Sequence, residues 1–332
     1  MGPMRKLCFL GIPEHEKTRS TEFLKELLRQ AFMLSIGEGA LSEALVDEND
    51  IFLFFQRPPS EEAVGRLNGK KIVFVPMYDE ARNYSRKTIA SWAPYKIISF
   101  CRSMHEDLRA WGFESAYVQY FPRPLLTAPL PIEVQKAFYW RRENTYINEA
   151  IPYSIIDELL GGTGVKLHCH SEGAGECMSS DLVESKSTWK SDKSSMTMAM
   201  RACSLYIAPR ESEGIGMSFL DAMANGLAVI GANNPTMNEY LLDGENGYLF
   251  DILAPKKIDL GALQSVREKS LETCFDGYER WEREKWSLVD FIEAPAPAAA
   301  RVSVPRGFRY RSLKQKNVRF AIKRFAKRLA GK

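Results

Sequence analysis

Long apolar runs are missing from this chain of 332 residues. No stretch approaches the roughly 20 uncharged apolar residues of a membrane-spanning helix, and residues 1–10 lack the apolar core of a secretory leader. A spanning protein is excluded on that count, and a cytosolic body is expected. Cysteine pairs are missing too. Cys8, Cys101, Cys169, Cys177, Cys203 and Cys274 form no CxxC, and several stand in apolar runs, so all six are expected as reduced core residues. Acidic residues are absent from 301–332, which hold twelve of the 45 Lys and Arg and none of the 42 Asp and Glu. The other 300 residues therefore carry 33 positive against 42 negative charges, which excludes a nucleic-acid-binding body and confines the basicity to the tail. No repeat of fixed period is present.

With 45% hydrophobic and 26% charged residues, the chain can bury a core and is long enough for two domains. Apolar runs at 6–10, 51–55, 71–76, 96–101 and 116–120 predict strands. Helical patterns lie between them at 21–32 and 103–111, the second opened by a Ser103/Glu106 capping box and stopped by Gly112. This alternation predicts a Rossmann-like domain over 1–122. Pro122, Pro124, Pro129 and Pro131 then suit an extended connection. A second α/β domain is predicted over 131–275, with strands at 137–140, 165–170 and 205–208 and helices at 151–160 and 194–202. A Trp-rich helical stretch over 276–293 is expected to cross back to the first domain. An Ala/Pro linker follows over 294–305, so globular structure is expected to end near residue 293.

The most informative stretch is 208–251, APRESEGIGMSFLDAMANGLAVIGANNPTMNEYLLDGENGYLFD. It reads as strand, glycine loop, helix, strand, turn, helix, turn, strand. Glu213, Gly214 and Gly216 fall in the loop, where glycine lets backbone approach a ligand. A helix is predicted from Met217 to before Gly226; its first amides, about Gly216 to Ser218, make an anion site suited to phosphate. On that helix Ser218, Asp221 and Asn225 form a polar stripe against Phe219, Leu220, Met223 and Ala224.

Over these residues the chain resembles the C-terminal domain of retaining GT-B glycosyltransferases, family 4-like. That family's motif is an acid, seven residues and a second acid, and here Glu213 and Asp221 hold the spacing. The EGIG loop, the LDAMANG helix, the VIG strand, the NEY turn and the DGENGYLF turn extend the likeness; elsewhere only the architecture agrees. The resemblance implies an α/β GT-B fold, two Rossmann-like domains facing a cleft. It implies that Glu213 contacts hydroxyls of a donor sugar, that Asp221 binds the ribose of the nucleotide, and that Gly214, Ile215, Gly216, Met217 and Ser218 hold the diphosphate. Arg141 and Arg142 occupy the place of the family's diphosphate-neutralising cations, with Arg142 favoured as the catalytic one. No cofactor and no metal are then expected, because amides and guanidinium groups neutralise the leaving group. Three departures stand out. Asp221 is one methylene shorter than the usual Glu, RRENTYIN lacks the Lys-Gly pair, and GIPEHEK replaces the Gly-Gly loop after the first strand.

Several residues admit two readings. Glu239 closes the capping box Thr236-Met237-Asn238-Glu239, or contacts the donor. His168, Cys169, His170, Glu172 and Cys177 suggest a metal, but fit no zinc spacing, and alternate strand faces separate Cys169 from both histidines. His15 and Asp79 follow predicted strands, where α/β ligands bind, and Tyr78 stands where the family has a His; these three are candidate cleft contacts, whereas His105 is expected to be solvated. The tail 306–332 sets Val318, Ile322, Phe325 and Leu329 at helical spacing among basic residues. It reads as a C-terminal basic amphipathic helix on an anionic membrane surface, as a disordered basic tail, or as a helix that docks on the acidic body or a partner protein. The combined expectation is a peripheral enzyme of the inner membrane face. It would move a sugar from a nucleotide sugar to a lipid-linked or oligosaccharide acceptor in surface polysaccharide synthesis. A nucleotide-sugar epimerase and a non-catalytic nucleotide-binding scaffold are the alternatives.

Overall fold

The computed structural model describes residues 4–38, 41–131, 135–142, 150–171, 181–188, 193–297 and 301–305. Contacts divide the chain into two compact units. The N-terminal unit combines the first 127 residues with Glu213–Ala224 and the stretch that begins at Glu272; the second combines Ala128–Ser212 with Asn225–Leu271.

The N-terminal unit runs β1 (Lys6–Gly11), α1 (Pro13–Thr18), α2 (Glu22–Ala31), β2 (Met33–Glu38), α3 (Glu43–Glu48), β3 (Ile51–Gln56), α4 (Glu61–Arg66), β4 (Lys71–Pro76), α5 (Tyr78–Ala81), α6 (Arg86–Ala90), β5 (Lys96–Ser99), α7 (Arg102–Ala110) and β6 (Ser115–Tyr117). These strands form one parallel sheet in the order β2-β1-β3-β4-β5-β6. Its central strands are continuous apolar runs because both faces are covered, as parallel sheets require.

The chain continues through β7 (Lys136–Arg141), α8 (Tyr153–Leu160), β8 (Lys166–Ser171), β9 (Val183–Thr188), α9 (Lys193–Arg201), β10 (Leu205–Ile207), α10 (Met217–Ala224), β11 (Ala228–Ala232), a single 3₁₀ turn at Met237–Glu239, β12 (Gly247–Phe250), α11 (Leu263–Glu284) and α12 (Trp286–Glu293). The second sheet is also parallel, in the order β12-β11-β10-β7-β8-β9. Two doubly wound α/β sheets of six strands are thus present, as expected.

Within the N-terminal unit, Trp281 of α11 meets Phe23, Phe100 and Tyr120 with ring centroids 5.7, 6.4 and 5.2 Å away. Fully buried Lys96 pairs with Glu114 and lies 4.2 Å from the ring centre of Phe291 on α12. Lys71 Nζ donates to the carbonyls of Ile292, Glu293 and Ala294 at 3.0, 2.8 and 2.7 Å, neutralising the negative end of α12.

Several local expectations need correction. Ser103 does not cap α7, which starts at Arg102 behind Cys101 and shows no side-chain cap. Thr236 caps nothing, and its helix shrinks to one 3₁₀ turn. Order does not end at residue 293: Ser303 donates its amide to Trp111 O at 2.8 Å, and Val304 is buried. Cys8, Cys101, Cys203 and Cys274 are free and buried, but Cys169 is disulfide-bonded. β2 and β9, both unpredicted, each form one edge of a sheet; β6 and β12 form the other edges. The basic tail 306–332 lies outside the described residues.

Candidate functional site

The expected helix is α10, and the loop before it is shaped by two glycines. Gly216 sits at φ 86°, and a Cβ there would come within 1.9 Å of the Phe219 ring. Glycine is the residue that position admits. The first internal bond of the helix runs from Leu220 N–H to Gly216 O at 3.1 Å, so the amides of Met217, Ser218 and Phe219 precede its hydrogen-bond ladder. They constitute the positive end of the helix dipole. Phe219, Leu220, Met223 and Ala224 are buried, whereas Ser218 and Asp221 are half-buried, as the stripe predicts. Asn225, the third stripe residue, is instead buried past the helix end and accepts from Arg201 Nε at 2.6 Å.

The N-terminal unit draws several candidates together around this loop. A Cβ on Gly214 would lie 2.7 Å from Met77 Sδ, so the loop backbone rests on the residue that opens α5. The next two residues are buried Tyr78 and half-buried Asp79. Glu213 is half-buried and Ile215 is buried. Burial, and then the charge of Asp221, push the Tyr120 hydroxyl far above its ordinary pKa; the same two causes bring the Cys274 thiol to about 12.

A parallel sheet binds ligands where strand order reverses, beyond the carboxyl ends of the strands. In the N-terminal unit that place lies between β1 and β3, and it opens into a cavity of about 350 Å³. Its lining is largely apolar, including Leu10, Ile12, Phe54 and Phe55, with exposed Arg57 and Arg66 as its cations and exposed Glu62 as its anion. Neither arginine meets a carboxylate among the described residues. His15 stands beside it, edge-on to Phe55 at 5.1 Å. Burial lowers its pKa, and a hydrogen bond that its ring donates to the Gln56 side chain works the other way. His105 is half-buried: its Nδ1 meets Ser115 Oγ at 2.9 Å, and burial lowers its pKa.

In the second unit the reversal lies between β7 and β10, and its chemistry is cationic. Arg141 closes β7; it hydrogen-bonds the Tyr139 hydroxyl and lies 5.8 Å from the ring centre of Tyr153. Arg142 covers Trp140 at 4.3 Å, and Trp140 stands edge-on to His170 at 5.6 Å. The two arginines thus leave β7 on opposite faces, as strand alternation dictates. His168 and His170 stack on Phe138 and share Ser187 Oγ at 2.7 and 2.8 Å, while Cys169 faces Tyr153. Burial, followed by the charges of His168 and Arg142, lowers His170 to about 4. Among the described residues no group of His, Cys, Asp and Glu is arranged to hold a metal; Glu172 and Cys177 lie outside them. Glu239 is half-buried at the end of the 3₁₀ turn.

One residue at this reversal escapes sequence reasoning. Arg210 follows β10, and its backbone forms an antiparallel bridge with Ala150. Its only mark in the sequence is a place three residues before Glu213.

The family model for glycosyl transferases group 1 matches residues 182–271. No curated protein matches the chain. Among solved structures, Anabaena HepE in complex with UDP and glucose is 14% identical, with TM-score 0.58 over 87% of this chain and 100% of its own. Sucrose-phosphate synthase from Thermosynechococcus elongatus is 10% identical, with TM-score 0.60 over 86% and 98%. TarM is 12% identical, with TM-score 0.54 over 74% of this chain; here the chain spans 55% of the relative's length. These likenesses establish the GT-B type of α/β fold. With a group 1 glycosyl transferase domain over 182–271, the chain is a transferase. Among the described residues no helix is long and apolar enough to cross a membrane.

Proposed function

We propose that this chain is a retaining, metal-independent glycosyltransferase. It moves a sugar from a nucleotide-sugar donor to a lipid-linked glycan acceptor in bacterial surface polysaccharide synthesis, at the inner face of the membrane. One observation carries the proposal: a glycine loop holding Glu213 leads into the amide end of α10, whose next turn presents Asp221. HepE, solved with UDP and glucose and with UDP-glucose, supports the donor class.

The amides of Gly214, Ile215, Gly216, Met217 and Ser218 hold the diphosphate, and Arg141 and Arg142 neutralise it. Glu213 orients the sugar hydroxyls, Asp221 takes the ribose, and Glu239 completes the donor contacts. Transfer breaks the bond between the anomeric carbon and the phosphate oxygen and forms the bond to the acceptor oxygen on the same face. The acceptor proton passes to the departing phosphate, so the protein supplies no base. Preorganised donors aimed at that phosphate stabilise its growing charge, each at a cost in rate of roughly 10²–10³ when removed. The apolar cavity at β1 and β3, with Arg57 and Arg66, suits an amphiphilic acceptor that carries a phosphate; His15, Tyr78 and Asp79 belong to the acceptor side. The basic tail supports a peripheral position, at about 1 kcal/mol per Lys or Arg near an anionic surface.

Glu213→Ala is expected to abolish transfer while nucleotide affinity, measured calorimetrically, stays within a few-fold of wild type. Equal loss of both contradicts the assigned role. Sugar turnover without any acceptor would point to the epimerase instead.

A further inference from the structure

β3 ends in a strained turn. Gln56 closes the strand at φ 73°, and Arg57 N–H donates to Phe55 O at 3.0 Å, so these three residues form a γ-turn about a left-handed centre. Among the described non-glycine residues, only Arg19 shares a positive φ. Glycine takes that conformation freely, and asparagine and aspartate more readily than most; glutamine has no such local excuse. A strained residue persists where its surroundings hold it.

The side chain of Gln56 does the holding. Its amide nitrogen donates to Glu80 Oε1 on α5, and Glu80 Oε2 accepts from the Tyr84 hydroxyl at 3.2 Å. The ring of half-buried His15 donates to the same side chain. The amide is thus engaged at both ends, by groups that follow β4 and β1. What the turn delivers is Arg57. Phe55 and Arg57 both line the β1/β3 cavity, whereas Gln56 between them does not. Beyond Arg57 the chain is stiff. Pro58 restricts Arg57 to extended backbone, Pro58 and Pro59 fix their own φ, and Ser60 caps α4 by accepting from Ala63 N–H at 3.1 Å.

We propose that Gln56 is a positioning residue for the acceptor: locked to Glu80, its strained turn aims the Arg57 guanidinium at the phosphate of an amphiphile seated in the β1/β3 cavity. The proposal rests on the acceptor reading above and adds Gln56 and Glu80, which that reading does not contain. A guanidinium placed in advance loses less freedom on meeting a phosphate, and its planar fork matches phosphate oxygens. Glycine at position 56 would adopt the same φ without strain and would release the lock, so Gln56→Gly removes the aim without forcing the backbone.

The test is calorimetric titration of wild type, Gln56→Gly, Arg57→Ala and the double variant with octyl phosphate and with octanol, both below micelle-forming concentrations. Wild type is expected to prefer octyl phosphate. Each single variant should shrink that preference on the order of tenfold, the scale of a lost hydrogen bond to a charged group, and leave octanol affinity and melting temperature near wild type. The double variant should lose no more than Arg57→Ala alone, because Gln56 acts through Arg57. An undiminished preference in either single variant, or additive losses in the double, overturns the role of Gln56 while leaving the acceptor reading intact. Equal weakening of both probes by Gln56→Gly, with a lower melting temperature, makes Gln56 a structural residue and overturns it too. A wild type without preference for the phosphate overturns the acceptor reading and the role of Gln56 together.

Discussion

The two sheets share one architecture, six parallel strands whose order reverses once, and end in different chemistry. At the reversal between β1 and β3 the strands deliver leucine and phenylalanine around an open cavity, and charge is present as exposed Arg57, Glu62 and Arg66. At the reversal between β7 and β10 they deliver Tyr139, Arg141, Arg142 and Arg210. Parallel strands put whatever residue ends them at the ligand-binding edge, so one backbone serves two classes of ligand by changing the last residue or two of a strand. Under the proposed function, the donor's diphosphate is assigned to the cationic edge and the amphiphilic acceptor to the other.

The largest effect that would sharpen the contrast is expected from Gly216. Gly216→Ala adds a Cβ 1.9 Å from the Phe219 ring at a φ of 86°. Either α10 shifts or the ring does, and overpacking of this kind costs on the order of 1–3 kcal/mol. Nucleotide affinity should fall with thermal stability, whereas the β1/β3 cavity should keep its ligand. Wild-type nucleotide affinity in this variant would break the link between the loop and the phosphate.

A second effect is acidic. An unfolded histidine gains its proton near pH 6.5, whereas folded His170 gains one near 4. Between those values the unfolded chain binds more protons, so stability is lost as pH falls through that window, by up to about 3 kcal/mol for a group shifted this far. Urea melts at pH 7 and pH 5 should show the loss in wild type and a smaller one in His170→Gln. An identical loss in both proteins would remove His170 from the account.

A smaller effect tests the apolar edge. Replacing Arg57 and Arg66 together by Ala should raise the KM for an amphiphilic, phosphate-bearing acceptor several-fold, and leave the affinity for nucleotide untouched. Reversed behaviour, with weaker nucleotide and unchanged acceptor KM, would exchange the roles of the two edges.

Much of this was legible in the chain because buried parallel strands are unbroken apolar runs. β1, β3, β4 and β7 stand out from their neighbours, and the glycine loop and α10 announce themselves through Gly214, Gly216 and the apolar face behind Asp221. β2 and β9 did not stand out, because an edge strand is covered on fewer sides: β9, VESKST, is half exposed along its whole length. The two capping boxes failed for a different reason. Each has the right residues at the right spacing, yet α7 begins one residue earlier than Ser103 allows, and the turn after Thr236 is too short to need a cap. Spacing describes one segment at a time. Arg210 is the same lesson at the site, since nothing local separates it from any arginine after a strand; its backbone bridge is to Ala150, about sixty residues away.

The account depends on phosphate meeting the amide end of α10. A crystal structure of the chain with a nucleoside diphosphate decides it: the phosphates are predicted within hydrogen-bond distance of the amides of Gly216, Met217 and Ser218, with the ribose at Asp221. A nucleotide bound elsewhere, with those amides still turned to water or to protein, would contradict it.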